Sequence, residues 1–246
     1  MEIKNLTYKE ELKKINYTFT HKKIYGIIGN KQDSTLLLEL IRGLEKPTSG
    51  SVEKDNLRAF MLFESSEDQI FGDTIKEEIT YGLDENSIDL EEISKKVGLD
   101  DDFWNKKPIN LSSGEKRKLV IASMLAFNPD IVLVDNFLNS LDFETQKMFI
   151  NLLKRMQFDD HKIVIIADQN TKLLYELVDE VILLNGEILL SGNKYDVFKN
   201  VDLLDELDVE IPEYIEFTNL VARRKSVDLP YRDRITDIVK DVYDNV

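Results

Sequence analysis

Hydrophobic and polar positions divide the chain into two kinds of segment. Short apolar runs predict buried strands at residues 24–28, 59–63, 131–134 and 163–167. Longer segments with apolar residues three or four positions apart predict helices at residues 34–42, 112–127, 143–156 and 171–178. Strands that alternate with helices usually form a parallel sheet that is covered on both faces. The pattern therefore predicts an α/β fold.

Local signals give the ends of these elements and a domain boundary. Ser34 is a candidate N-cap for the first helix, and Gly43 is its expected stop. The dipeptide Asn185-Gly186 joins two apolar runs and is typical of a type I′ hairpin turn. Beyond about residue 198 the segments become short, acidic and helical. We therefore expect a main domain at residues 1–198, with a helical subdomain at about 64–128, and a C-terminal extension at 199–246.

Composition and charge narrow the functional classes. The net charge of -15 repels nucleic acid and anionic lipid, so we expect neither nucleic-acid binding nor direct lipid insertion. No apolar run reaches the 18 residues of a membrane span, and the start MEIKNLTYKE lacks the apolar core of a signal peptide. Cysteine is absent, which excludes a thiolate metal site. A cytosolic protein is expected, held at a membrane only through a protein partner.

Five ordered segments resemble the motifs of ATP-binding cassette (ABC) ATPases. In chain order they are Gly26-Ile-Ile-Gly29 followed by Ser34-Thr-Leu-Leu, Pro47-Thr-Ser-Gly50, Leu111-Ser-Ser-Gly-Glu-Lys-Arg117, Asn128-Pro-Asp-Ile-Val-Leu-Val-Asp135, and Ser140-Leu-Asp142. Two further features are similar to the ATPases of energy-coupling-factor (ECF) transporters: Ser66-Glu-Asp-Gln-Ile-Phe71, and the tail after about residue 195. The resemblance implies an ABC-type P-loop NTPase fold: a mostly parallel sheet core, an antiparallel β part, a helical subdomain and a small helical extension that pairs ATPase subunits.

The phosphate loop departs from the family pattern. The motif Gly-x-x-x-x-Gly-Lys-Ser/Thr holds phosphates on backbone N–H groups and reaches them with its Lys. Only four residues separate Gly29 from Ser34, where the motif has six, and Asp33 stands in the place of the Lys. A carboxylate that faced a triphosphate would disfavour binding. Ser34 is either a Mg²⁺ ligand or a helix cap, and Lys31 is either a substitute for the missing Lys or a solvated side chain.

Three more nucleotide-handling positions differ from the family. Glu64 replaces the Q-loop Gln, Asn136 replaces the Glu that polarises water, and Asp168 replaces the switch His. An amide cannot accept the proton of the attacking water, and loss of a general base costs roughly 10²–10⁴-fold in rate. The resemblance therefore implies that this chain has no catalytic residue of its own and an inactive site.

Other positions of the same site match the family. The resemblance places Asp135 and Ser34 at a Mg²⁺ ion, and Gly29, Ser34 and Thr35 at residual nucleotide contacts. Tyr8 matches the aromatic residue that stacks on adenine, although it could equally be an ordinary strand residue. Whether ATP and Mg²⁺ still bind here is left open by the sequence.

The motifs that act on the opposite subunit are kept. In ABC dimers each ATP lies between the phosphate loop of one subunit and the signature of the other. Ser112, Ser113, Gly114 and Glu115 correspond to the signature, in which the family has Ser-Gly-Gly-Gln, and Asp142 belongs to the D-loop. The resemblance implies that these residues complete the ATP and Mg²⁺ site of an intact partner ATPase. The alternative is that Ser112 and Glu115 form a capping box with no ligand.

The segment after the Q-loop supplies the expected membrane contact. In the family, Glu67, Asp68 and Gln69 would lie where coupling helices of a transmembrane subunit dock; the alternative is an acidic surface turn. The resemblance implies a degenerate ATP-binding subunit of an ECF-type importer for a micronutrient, peripheral at the cytoplasmic face of the membrane. The alternatives are a divergent active ATPase that uses Lys31, Ser34 and Glu64, and an ABC-like interaction protein with no transporter.

Overall fold

The computed structural model describes residues 1–65, 69–99, 103–104, 106–227, 229–230, 232 and 235–245. The strands are β1 Glu2–Tyr8, β2 Leu12–Thr18, β3 Lys23–Gly29, β4 Ser49–Glu53, β5 Ala59–Leu62, β6 Ile131–Asp135, β7 Ile163–Ala167, β8 Glu180–Asn185 and β9 Glu187–Asn193. The helices are α1 Lys31–Arg42, α2 Ile75–Thr80, α3 Leu90–Val97, α4 Ser113–Phe127, α5 Phe143–Phe158, α6 Thr171–Leu177, α7 Lys194–Phe198, α8 Val201–Glu206, α9 Glu213–Lys225 and α10 Ile235–Asn245.

A six-stranded sheet forms the centre of the fold, in the order β5-β6-β7-β3-β8-β9. Neighbouring strands run parallel from β5 to β8, and β9 pairs antiparallel with β8. A smaller antiparallel sheet has the order β2-β1-β4. The predicted α/β fold with a mostly parallel core and an antiparallel part is confirmed.

The central sheet is buried on both faces, which explains why its strands are continuous apolar runs. Along β6, Ile131 and Leu133 pack with α1 and the small sheet, whereas Val132 and Val134 pack with α4 and α5. The same alternation holds along β7. Burial on both sides leaves the carboxyl ends of the strands as the place where polar side chains emerge.

The described residues between β5 and β6 form helices and loops, which include α2, α3 and α4. The tail packs on the same hydrophobic cluster as α4 and α5 through Leu204, Ile215 and Ile238. The ring of Tyr175 in α6 meets Tyr214 edge-on with centroids 5.3 Å apart. Within the described part of the chain, no helix is long and apolar enough to cross a membrane.

Two local predictions are corrected. Helix α1 begins three residues earlier than expected, so Asn30 is its N-cap and Ser34 lies inside the helix. The hairpin at Asn185-Gly186 is present, but of these two residues only Gly186 has a positive φ, whereas a type I′ turn needs both. The N–H group of Gly186 bonds to Asp33 and its carbonyl accepts from the N–H of Lys13, which holds the turn in another shape.

Candidate functional site

Polar residues from four neighbouring strands meet at the carboxyl end of the central sheet. Asn30 follows β3, Glu64 follows β5, Asp135 ends β6 and Asp168 follows β7. Because β5, β6, β7 and β3 are adjacent and parallel, these residues share one edge of the sheet. Ligands of open α/β sheets bind at this edge. We call this group, with Lys31 and Asn136, the sheet-edge site.

Asn30 occupies the start of α1 with its own side chain. Its Oδ1 accepts from the N–H groups of Gln32 at 2.9 Å and Asp33 at 3.2 Å. In a phosphate loop such N–H groups at a helix N-terminus hold the phosphates. Here two of them are satisfied internally, in the manner of an N-cap worth about 1 kcal/mol.

Asp33 and Ser34 do not face the expected ligands. The Asp33 carboxylate is 8% exposed and accepts from the N–H of Gly186 at 2.6 Å, so it does not form the predicted like-charge contact with a phosphate. The Ser34 hydroxyl donates to the Asn30 carbonyl at 2.8 Å, which makes it neither the predicted cap nor a partner of Asp135. The cause is the short loop: helix α1 starts at Lys31 and turns both side chains inward.

Lys31 forms an ion pair with Glu64, with Nζ and Oε2 2.8 Å apart. Both side chains are about half exposed, so the pair adds little to stability. The Glu64 carboxylate raises the pKa of Lys31, and Asp135 and Asp168 add to the effect. The Lys31 ammonium therefore pairs with a carboxylate of this chain, and a phosphate would have to compete for it.

Asp135 is 5% exposed and is held by two neighbours. Its Oδ1 accepts from the Thr35 hydroxyl at 3.0 Å and from the Asn136 amide at 3.1 Å. Burial raises the pKa of Asp135, the two hydrogen bonds lower it, and the Glu64 charge raises it further. Thr35, not Ser34, is thus the hydroxyl that meets Asp135.

Asn136 follows Asp135 with a left-handed backbone, φ +47°. Asn tolerates this conformation better than most residues, because its short polar side chain can bond locally. Its amide bends back to Asp135, and its N–H donates to the carbonyl of Ala167 at 2.8 Å. An amide side chain has no basic group that could take a proton from water, as a general base must.

Asp168 is 1% exposed, and its two oxygens differ. Oδ1 accepts from the Asn139 amide at 2.5 Å and from the N–H of Asn170 at 2.8 Å. Oδ2 is buried with no hydrogen-bond partner. Burial raises the pKa of Asp168 above its ordinary value of 3.8, against the hydrogen bonds, which lower it. Asp168 therefore ties the end of β7 to the segment that precedes Asp142.

The sheet-edge site differs from the family's phosphate loop in its charges and in the capping of its helix. Among the described residues, Glu64, Asp135 and Asp168 lie near the Lys31 ammonium and the start of α1 is capped by Asn30, so a triphosphate without its cation would be repelled by these carboxylates. Tyr8 is 9% exposed, its hydroxyl donates to Glu45 and the Lys9 ammonium lies 4.5 Å from its ring centroid. This packing leaves little ring surface for adenine.

The start of α4 presents a different arrangement. Ser112 is the N-cap: its hydroxyl accepts from the N–H of Glu115 at 3.3 Å, and the Glu115 carboxylate accepts from the N–H of Ser112 at 2.9 Å. Ser112 and Glu115 therefore form a capping box, as one of the two interpretations of this segment predicted. Ser112 and Ser113 are exposed, and a Cβ added at Gly114 would meet nothing within 4 Å. No neighbour in the described structure explains a glycine there, and the open space permits close approach from outside.

Asp142 caps α5 and lies on the surface. It accepts from the N–H of Thr145 at 2.9 Å and from the Thr145 hydroxyl at 2.8 Å, and these bonds lower its pKa. The preceding Leu138–Ser140 form one 3-10 turn. Asn139 in that turn joins Asp142 to the sheet-edge site through Asp168.

Of the predicted coupling residues, only Gln69 is described. Its amide donates to the carbonyl of Met61 at 2.7 Å and its Oε1 accepts from the N–H of Phe63 at 3.0 Å. Gln69 thus binds the end of β5 rather than offering its amide to a partner. Glu67 and Asp68 lie outside the described residues.

Sequence reasoning missed two residues of the site. Asn30 was overlooked as the helix cap, although Asn is a preferred N-cap type and Gly29 marks the end of the strand before it. Asn139 precedes the segment Ser140-Leu-Asp142 and was assigned no role. Its contact with Asp168 spans 29 residues, and short-range patterns do not reveal such a pair.

Comparisons with known proteins agree with the fold and the motif order. The profile described as ABC transporter matches residues 12–139, slightly more than half of the chain. The energy-coupling factor transporter ATP-binding protein EcfA2 of Staphylococcus aureus (strain bovine RF122 / ET3-1) is 28% identical over 227 residues, 82% of this chain and 79% of that protein. The same protein from strain MRSA252 matches equally well. The resemblance to ECF ATP-binding proteins is confirmed.

Solved structures support the same fold. CbiO1 from Clostridium perfringens, described as part of the ABC transporter complex cbiONQ, superposes with a TM-score of 0.69 at 22% identity, and covers 89% of this chain and 98% of its own. An ATP-binding subunit of an ABC transporter gives a TM-score of 0.71 at 18% identity over 85% of this chain and 98% of its own. Fold, motif order and the family profile together establish that the chain belongs to the ABC transporter family.

Proposed function

We propose that this chain is the subunit with a degenerate ATP site in an asymmetric pair of ECF-type ABC ATPases. It completes the ATP and Mg²⁺ site of an intact partner subunit with Ser112, Ser113, Gly114 and Asp142. It also couples that site to a transmembrane subunit for uptake of a micronutrient. In this role the chain is peripheral at the cytoplasmic face of the membrane.

The observation that carries the proposal is the contrast between two helix N-termini. The start of α1 is filled by Asn30, with the Lys31 ammonium paired to Glu64. The start of α4 keeps an exposed Ser113 and open space at Gly114. A γ-phosphate bound by the partner suits the second arrangement and not the first.

Two exposed apolar surfaces suit the two partners. Beside the Q-loop, Phe71 is 82% exposed and Ile109 is 83% exposed, and both line a cavity of about 770 Å³. A cytoplasmic helix of the transmembrane subunit fits this surface. On the extension, Ile235 of α10 and Tyr243 are exposed, as is Phe217 of α9. These side chains suit the pairing of ATPase subunits that the family likeness implies.

A divergent active ATPase is the weaker candidate. It would use Lys31, Ser34 and Glu64, but Lys31 and Glu64 neutralise each other and Ser34 donates to the Asn30 carbonyl. Turnover by the isolated chain that disappears in Asp135→Ala would favour this candidate instead.

Pull-down from detergent-solubilised native membranes tests the partners. The tagged chain should retain a second ABC ATPase with a Lys-bearing phosphate loop, together with a polytopic membrane protein, both identified by mass spectrometry. Recovery of the chain alone, or of soluble proteins only, would overturn the transporter role and favour an interaction protein.

Ser112→Arg tests completion of the partner site. In the purified complex we expect ATPase activity to fall at least about 100-fold, because a bulky side chain fills the place of the γ-phosphate and blocks closure. Ser87→Arg, on an exposed turn of the helical region, is the matched control and should retain activity. Asn136→Glu should not create a second active site. Full activity in Ser112→Arg would contradict the proposal.

A further inference from the structure

The start of α4 contains an ion pair that the signature role does not explain. The resembled family has Gln at the position of Glu115. One carboxylate oxygen of Glu115 accepts from Ser112, and the other lies 2.5 Å from the Lys106 ammonium. Lys106 and then Ser112 lower the pKa of Glu115 to about 2. Glu115 is therefore an anion at neutral pH.

An anion at this place has two opposite effects. In the first turn of a helix it interacts well with the N-terminal end of the dipole. It also cancels the positive potential that an incoming phosphate needs, since the charge is within one helical turn of Ser113 and Gly114. A signature that carries Glu in place of Gln thus needs a compensating cation to receive an anion.

Lys106 lies where that compensation is required. A cation at a helix N-terminus is unfavourable with the dipole, so helix stability alone does not account for its position. The pair lies at the surface, with the Lys106 side chain 41% exposed and that of Glu115 29% exposed. A surface pair adds little to folding, and this pair places a positive charge next to the carboxylate at the start of α4.

We propose that Lys106 is a positioning residue for the ATP of the partner subunit. By neutralising Glu115 it keeps the start of α4 receptive to the γ-phosphate, as the neutral Gln does in the resembled family. The inference rests on the proposed function and assigns a role to a residue that lies outside the signature motif.

A charge-reversal cycle in the purified membrane complex tests the inference. Lys106→Gln leaves Glu115 uncompensated, so the KM for ATP should rise about three- to tenfold with a smaller change in kcat. Glu115→Gln alone removes the anion and leaves the Lys106 charge unopposed, so the KM for ATP should fall. The double variant Lys106→Gln/Glu115→Gln should return close to the wild-type KM, because the charge to be compensated is gone. Lys106→Arg keeps the positive charge and should therefore keep the wild-type KM for ATP.

A matched ion pair on the same subdomain is the control. Lys95 and Glu91 of α3 form an exposed pair at 2.6 Å, and Lys95→Gln makes the same charge change away from α4. If Lys106→Gln behaves like Lys95→Gln, or if the double variant is as impaired as Lys106→Gln, the pair is an ordinary surface contact and the inference is wrong. If Ser112→Arg loses activity while the Lys106 variants give the negative result above, only the role of Lys106 is overturned. If Ser112→Arg retains activity, the proposed function is overturned as well.

Discussion

The sheet-edge site and the start of α4 use the same kind of backbone feature in opposite ways. Each is a helix N-terminus with an acidic residue in its first turn. At α1, Asn30 caps the helix and Asp33 is buried against Gly186. At α4, the cap is a surface capping box, and the space beside Gly114 is open. The polar groups at the start of α1 are therefore satisfied within the chain, whereas the start of α4 remains accessible to a second molecule.

The largest effect is expected at Gly114, where the surface at the start of α4 is open. Gly114→Asp should lower ATPase activity of the complex by roughly 100-fold, because the added carboxylate faces the partner's phosphate. The thermal midpoint of the isolated chain should change little, since a side chain there meets nothing within 4 Å.

Gly114→Ala is the companion variant. It should stabilise the isolated chain by up to about 1 kcal/mol, because Ala is the better helix former. A drop in activity alongside a gain in stability would locate the need for glycine outside this chain. Unchanged ATPase activity in Gly114→Asp would remove the distinction between the two helix starts.

Asn30→Ala tests the closed side of the comparison. Removal of the side-chain acceptor should destabilise the chain by about 1 kcal/mol, measured as the free energy of unfolding in urea. Asn30→Asp keeps the acceptor and should lose much less. We expect no ATP binding in either variant, because Glu64, Asp135 and Asp168 still repel a triphosphate. ATP binding by Asn30→Ala would mean that the cap alone keeps the site closed.

The two regions should also differ in the sign of their pH dependence. Burial raises the pKa values of Asp135 and Asp168, so their contribution to stability is full below the ordinary value of 3.8 and is lost as pH rises through the raised values. The pKa of Glu115 is lowered to about 2, so its contribution is present above the ordinary value of 4.5 and is lost as pH falls towards 2.

Asp168→Asn removes the buried charge of the sheet-edge site and leaves Glu115 unchanged. It therefore isolates the pH dependence that comes from Asp168. The amide keeps an acceptor for Asn139 and Asn170 and removes the buried charge. The amide hydrogens at the place of Oδ2 gain no partner, so the variant carries a cost that does not depend on pH. Relative to wild type, its stability should rise by the order of 1 kcal/mol between pH 4 and pH 7.5, measured as urea midpoints at both pH values. A relative stability that does not rise with pH would contradict the role of burial at Asp168.

Sequence patterns predicted the strands of the central sheet well, because each is an apolar run of a length that only burial explains. They also placed α4 correctly, since Ser112 and Asn128 mark its two ends. The sequence did not reveal where Asp33, Ser34 and Asp168 point. Those directions depend on Asn30 capping α1 and on contacts with Gly186 and Asn139, which lie far away in the chain.

The number of nucleotides bound by the assembled complex distinguishes a closed sheet-edge site from an open one. Equilibrium dialysis of the purified complex against a radiolabelled, non-hydrolysable ATP analogue with Mg²⁺ should give one bound analogue for each pair of ATPase subunits. That result is expected if the sheet-edge site is closed and the partner site is completed by α4. Two bound analogues for each pair would mean that the sheet-edge site also binds ATP. Its capped helix and its carboxylates would then not exclude the nucleotide, contrary to the proposed function.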